Sequence, residues 1–205
     1  MPVLKPRRWL ALAALLTSLA LRAEAQNVVK AGPGPVPEPV LHDITGLFQD
    51  KFASVGDDLF IGGQPTEKAL RDLRARGVTT IVNLRMPQEM ERVGFDEAAL
   101  AKELGMRYVH IPMRGTAENP YGPTQLDQFA AAMAAADGKV LLHCTIAWRA
   151  SHLWAAYLIR ERNVPAATAV AQTRKINLMD EMRMGNQHPL EGFLGRTVPE
   201  MAHPK

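Results

Sequence analysis

From residue 59 onward, short apolar runs alternate with segments whose apolar residues recur every three or four positions. The first pattern predicts buried strands and the second predicts amphipathic helices. Leu59-Phe60-Ile61 is a brief apolar strand stopped by Gly62-Gly63. Pro65-Thr66 then opens a helix, with Thr66 as its cap, Leu70 and Leu73 at helical spacing and Gly77 at its end. Val78 to Leu84 (VTTIVNL) is β-branched and nearly uninterrupted, as expected of a strand covered on both faces. A second helix is expected over Gly94–Leu104, a third strand over Tyr108–Ile111, and a Pro- and Gly-containing loop over Pro112–Pro123. Thr124–Ala136 predicts an alanine-rich helix, Asp137-Gly138 a turn, and Lys139–His143 a fourth strand. Two more helices are expected over Leu153–Arg162 and Ala166–Asn177, with Pro165 at the first turn of the latter.

Strands alternating with helices predict an α/β fold, a three-layer sandwich with a mainly parallel central sheet. Ligands of such sheets sit at the carboxyl ends of the strands. Cys144 follows directly on the apolar run Val140–His143 and so stands at such an end.

The chain ahead of this region is of a different kind. Lys5, Arg7 and Arg8 precede an apolar run from Trp9 to Leu21, broken by Thr17 and Ser18, and Ala23-Glu24-Ala25 follows. That order of basic, apolar and small residues is expected of a secretory signal peptide over residues 1–25, cleaved before Gln26. The run is shorter than the ~20 apolar residues a membrane span needs. The expectation is a periplasmic or secreted protein with no membrane span after cleavage. Residues 26–45 read as a Pro/Gly-rich linker, since Pro33, Pro35, Pro37 and Pro39 alternate and favour an extended spacer. Residues 46–184 are then the domain, and 185–205 a loose C-terminal tail.

The leader also changes the charge balance. Lys and Arg total 24 against 21 Asp and Glu, but four of the former and one of the latter lie in residues 1–25, leaving 20 of each. The basic pI of about 9.2 is therefore largely the leader's. It gives no ground for nucleic-acid binding, which needs a clustered basic surface. His42, His110, His152, His188 and His203 show no metal-ligand spacing, and Met179, Met182 and Met184 read as packing. No metal or cofactor is expected. The single cysteine excludes an internal disulfide, so it is either a buried bystander or a reactive thiol.

The segment from His143 to Ser151 (HCTIAWRAS) decides between these. A loop curling into a helix N-terminus aims several backbone N–H groups at one point, which suits an oxyanion and a thiolate. Arg149 adds a planar fork able to hold two anion oxygens. A nucleophile, an amide cradle and a guanidinium together suit attack on phosphorus or sulfur through a covalent cysteine intermediate.

Four motifs carry a resemblance: Ile61-Gly62-Gly63-Gln64-Pro65, Val82-Asn83-Leu84-Arg85 with Glu89 or Glu91, His110-Ile111-Pro112, and Leu142-His143-Cys144 with Arg149. Together they resemble the bacterial β-lactamase-hydrolase-like phosphatase-type domain, within the superfamily of cysteine-dependent tyrosine and dual-specificity phosphatases. The resemblance spans roughly residues 50–165. It implies a phosphatase-like fold and hydrolysis of a phosphate ester through a phosphocysteine on Cys144. It also implies Arg149 as the catalytic arginine, with substrate held by His143, Thr145, Ile146, Ala147, Trp148 and Ser151. His143 reads more readily as packing behind the loop than as a base, and Arg85 with Glu89 as an ion pair supporting it.

Departures keep other readings open. Four residues separate Cys144 from Arg149, where the wider superfamily has five; this bacterial subgroup and many rhodanese-type sulfurtransferases share the shorter spacing. Ala147 replaces the usual loop glycine, and Trp148 is bulky. Such phosphatases carry an Asp on the loop after the Ile-Pro strand end, to protonate the leaving oxygen. Here Met113–Pro123 offers Glu118 alone. The alternatives are a sulfurtransferase working through a Cys144 persulfide, and a pseudophosphatase that binds a phosphate- or sulfur-containing anion without turnover.

Overall fold

The structure, a computed structural model, describes residues 35–179 and 188–201. The expected signal peptide, the first part of the linker, Met182, Met184 and His203 lie outside the described residues.

Six strands form one mixed sheet: β1 (Pro39–Leu41), β2 (Phe52–Val55), β3 (Leu59–Gly62), β4 (Val78–Asn83), β5 (Arg107–His110) and β6 (Lys139–His143). Their spatial order is β1-β2-β3-β6-β4-β5. The four strands from β3 to β5 run parallel, and β2 and β1 are added antiparallel at one side. The last-formed strand, β6, therefore occupies the middle of the sheet, with its carboxyl end between those of β3 and β4.

Alternation along each strand divides the core into two layers. Phe60, Ile81 and Leu141 face α1 (Glu67–Ala75) and α3 (Glu97–Glu103), which contribute Leu70, Leu73, Leu100 and Ala101. Ile61, Val82, Val140 and Leu142 face the other way, in a cluster with α4 (Pro123–Ala134), α5 (Trp148–Glu161) and α6 (Ala166–Arg174). This is the expected sandwich with helices on both faces. The helices start where their caps dictate: Thr66 accepts from the N–H of Ala69, and Asp96 from that of Ala99, so α3 begins three residues later than Gly94. A one-turn helix, α2 (Pro87–Met90), was not legible in the hydrophobic pattern, because none of its residues is buried.

Two expected boundaries are corrected. The reading of 26–45 as a linker fails over its second half, where Pro39–Leu41 pairs with β2. The preceding residues are also anchored, Val36 accepting a hydrogen bond from Gln172 and Glu38 pairing with Lys175. Val40 and Leu41 remain exposed, which is why this edge strand carries no buried signal in the sequence. The loose tail is corrected too. Residues 189–194 form α7 (Pro189–Leu194), and Leu190, Phe193, Val198 and Met201 are buried against the α4 and α5 face. Pro189 at the first turn and apolar residues at helical spacing explain the helix.

Candidate active site

Three strand ends meet around Cys144. His143 lies in register with Gly62 of β3 and Asn83 of β4. The chain leaving β6 is then fixed on both sides: the N–H of Cys144 reaches the Gly62 carbonyl, and that of Leu84 reaches the His143 carbonyl. Gly63 bridges Ile146, and the N–H of Gln64 donates to the Thr145 carbonyl at 2.9 Å. A Cβ on Gly63 would stand 1.7 Å from the Gln49 carbonyl oxygen and 2.8 Å from that of Thr145. The glycine of the Gly-Gln-Pro motif thus lets the β3 exit strand press against the cysteine loop.

Ala147 completes the turn into α5 with φ of 65°, in the left-handed region. Glycine takes that conformation without strain, whereas alanine gives up about 1 kcal/mol there. The first N–H groups of α5 have no intrahelical acceptor and are left pointing back at the loop. Asn177, just past α6, donates to the Ile146 carbonyl and to Asp50. It props the loop from outside, and nothing in the sequence marked it, since it sits 31 residues from the carbonyl it holds.

Arg149 is 4% exposed, and both of its terminal nitrogens are engaged. Its Nη1 donates to Glu89 Oε2 at 2.9 Å, to the Met113 carbonyl at 2.9 Å and to the Leu84 carbonyl at 3.2 Å. Its Nη2 donates to Glu89 Oε1 at 2.7 Å and to Thr145 Oγ1 at 3.0 Å. Glu89 also accepts from the Thr145 hydroxyl and from the N–H of Met86. Burial opposes ionisation of Glu89, but the Arg149 and Met86 hydrogen bonds outweigh it and hold its pKa at about 2. Burial likewise opposes the charge on Arg149, and the nearby Cys144 and Glu89 outweigh it and push its pKa up.

This corrects the expected pairing of Arg85 with Glu89. The carboxylate belongs to Arg149, and Arg85 takes the main-chain oxygen of Glu89 at 2.9 Å and Gln64 Oε1 at 2.5 Å. The fork formed by the two terminal nitrogens of Arg149 is turned to Glu89.

Behind the loop lies a second buried pair. His143 Nε2 and Glu97 Oε1 are 2.8 Å apart, with both side chains fully buried. Glu97 accepts further from Gln64 Nε2 and Asn83 Nδ2, and Asn83 holds the Tyr108 hydroxyl. Burial works against ionisation of Glu97, yet His143 and Gln64 leave its pKa lowered. His143 is thus a fully buried packing and hydrogen-bonding residue under the site.

The remaining expected residues separate clearly. Thr145 and Ile146 are partly exposed, while Cys144, at 1% exposure, belongs to the core cluster with Leu142, Ala147 and Trp148. The Trp148 ring packs edge-on against Tyr121 and His152. The Ser151 hydroxyl donates to the Ala147 carbonyl one turn back, so it does not serve the sulfur in this arrangement. Glu118 is exposed and makes no hydrogen bond or ion pair among the described residues. Among those residues, no group of three or more His, Cys, Asp or Glu could hold a metal ion.

A cleft of about 800 Å³ opens beside the loop, and Thr145, Gln64 and Arg85 line it where it adjoins the site. Neither Arg149 nor Glu118 lines it. Arg85 is the guanidinium that sequence reasoning placed among the supporting residues and the structure places at the opening.

The family model of the beta-lactamase hydrolase-like protein, phosphatase-like domain, matches residues 51–158. A beta-lactamase hydrolase-like protein of Xylella fastidiosa (strain Temecula1) is 33% identical over 107 residues, covering 51% of this chain and 24% of that one. The match thus spans about a quarter of the curated relative. Among solved structures, a candidate phosphatase (DUF442) from Shewanella putrefaciens CN-32 superposes with a TM-score of 0.54 and 28% identity. That superposition covers 74% of this chain and 92% of the other. The cysteine-to-serine form of P. aeruginosa TpbA in complex with pTyr shares the fold, with a TM-score of 0.51 at 17% identity over 67% of this chain and 77% of that one. The chain belongs to the phosphatase-like domain family of the beta-lactamase hydrolase-like proteins, and its fold is phosphatase-like.

Proposed function

We propose, with that membership as premise, that the chain is a cysteine-dependent phosphatase of the tyrosine or dual-specificity type. The observation that carries the reading is the position of Cys144: at the carboxyl end of the central parallel strand, directly before the turn into α5. In the proposed first step the Cys144 sulfur attacks phosphorus. The S–P bond forms as the ester P–O bond breaks, and the leaving oxygen takes a proton from Glu118 or from water. In the second step water attacks the phosphocysteine, breaking the S–P bond, releasing phosphate and restoring the thiolate. Charge that develops on the equatorial oxygens faces the loop N–H groups and the start of α5, donors that need no reorganisation during reaction.

Arg149 and Glu89 act as one unit in this scheme. The carboxylate and the Leu84 and Met113 carbonyls fix the guanidinium beneath Thr145, and Thr145 carries that order to the rim of the cleft. The substrate anion enters from the cleft side, past Thr145 and Arg85. Glu118 has no fixed place over the loop, which favours esters whose leaving group needs little protonation, such as phenols. The order of basic, apolar and small residues over residues 1–25 supports a periplasmic or secreted location. Among the described residues no helix is long and apolar enough to cross a membrane.

The test is hydrolysis of aryl phosphates by the wild-type protein and by Cys144→Ser. Release of phosphate that depends on Cys144 is expected. Turnover that survives the substitution would remove the cysteine mechanism. Sulfur transfer from thiosulfate without phosphatase activity would replace it.

A further inference from the structure

The cleft beside the loop carries a charge arrangement that hydrolysis of a simple phosphate ester does not require. Arg85 is 7% exposed, and its guanidinium is held by neutral acceptors, Gln64 Oε1 and the Glu89 carbonyl. Its buried Nε has no hydrogen-bond partner among the described residues. Both nearby carboxylates are committed elsewhere: Glu89 to Arg149, Thr145 and the Met86 N–H, and Glu97 to His143 and Gln64. A buried cation held without a carboxylate of its own bears a desolvation penalty that an incoming anion relieves.

Arg92 lines the same cleft, exposed and without an ion pair among the described residues. Lys68, also in the lining, is paired with Asp72 at 2.6 Å. Glu67 is the acidic residue of the lining, so two uncommitted arginines stand against one carboxylate. The lining also includes the edge of the buried Phe48 and the half-buried Phe95, apolar surface beside the arginines.

From this arrangement we infer that the cleft receives the leaving-group side of the substrate and that Arg85 and Arg92 bind a second anionic group on it. The substrate class is then an aryl phosphate monoester bearing a further negative charge on its ring substituent. The phosphoryl end passes Thr145 toward Cys144, and the rest of the substrate stays in the cleft with its second anion on Arg85 and Arg92. This rests on the phosphatase reading above and specifies the substrate that reading leaves open.

Two esters test it: 3-(4-phosphonooxyphenyl)propionate and its neutral amide. Their leaving phenols are nearly equal in basicity, so a difference in kcat/KM reports recognition and not leaving-group chemistry. The wild-type protein is expected to favour the charged ester by about 10-fold or more at low salt, chiefly through KM, as expected for an oriented charge pair. Dissociation constants measured on Cys144→Ser should show the same preference. Arg92→Gln, at an exposed position where folding is not at stake, should cut the preference to about 3-fold or less, and Arg85→Gln should cut it similarly. Equal turnover of the two esters by the wild type overturns the inference and leaves the phosphatase reading standing. A preference that survives both substitutions overturns it as well. Failure of both esters to bind and to react removes the phosphatase reading, and the inference falls with it.

Discussion

Glu89 and Arg149 meet through both carboxylate oxygens and both terminal guanidinium nitrogens, at 2.9 and 2.7 Å, sixty residues apart in the chain. The pair joins α2, which buries no residue of its own, to the first turn of the most buried helix in the structure. It makes a surface turn part of the loop's support. Arg149→Lys retains the charge but loses the two-pronged contact and the reach to the Leu84 and Met113 carbonyls. Turnover of an aryl phosphate should fall by about 100-fold, on the scale of losing one oriented oxyanion donor. Activity within a factor of two of wild type would show that the fork is dispensable.

Glu89→Gln keeps an acceptor for Arg149 but removes the charge. A decrease in kcat of about 10-fold or more with little change in KM is expected, because the loss is of orientation and not of substrate contact. A rise in KM with kcat intact would instead mean that Glu89 touches the substrate.

The same carboxylate sets an acid limit on stability. Its pKa in the folded protein is about 2, against an ordinary value of 4.5. The unfolded chain therefore takes up the proton first as pH falls. The group's contribution to stability is complete above 4.5 and is lost progressively between 4.5 and about 2. Melting temperatures followed from pH 5 down to pH 2 should drop less steeply for Glu89→Gln than for wild type. Parallel curves would deny the coupling.

Gly63→Ala forces a Cβ to 1.7 Å from a backbone oxygen, which no side-chain adjustment relieves. A loss of about 2 kcal/mol or more is expected, at the upper range of overpacking effects. Gly94→Ala is the control, since a Cβ there meets nothing within 4 Å. Similar melting temperatures for the two variants would contradict the close approach of Gly63 to the Gln49 and Thr145 carbonyls.

His143→Ala leaves Glu97 buried without its strongest partner. The expected cost is about 3–5 kcal/mol, the range for breaking one side of a buried pair. Loss of activity with unchanged thermal stability would instead give His143 a direct part in the reaction.

Much of this architecture was legible because its signals are local. Val78–Asn83 and Lys139–His143 are strands buried on both faces, and their β-branched or apolar centres, without polar alternation, say so. That a helix follows Cys144 is given by sequence order, although α5 starts at Trp148, five residues before the expected Leu153. What was not legible depends on long-range geometry. The choice of Arg149 over Arg85 as the partner of Glu89 is decided by where α2 lies relative to α5, and no spacing encodes it. Asn177 and Gly63 act on the loop from distant segments. Strand β1 and helix α7 were missed for another reason: one exposes its apolar residues at a sheet edge, and the other is six residues long, too short for periodicity to declare itself.

The most direct measurement is the intact mass of the protein, quenched in acid during a single turnover of an aryl phosphate. The proposed mechanism predicts a transient gain of one phosphoryl group, mapped to Cys144, formed as the phenol is released and lost as inorganic phosphate appears. Phenol release with no adduct on Cys144, or an unreactive ester alongside a sulfur atom retained on Cys144 after thiosulfate, would contradict it.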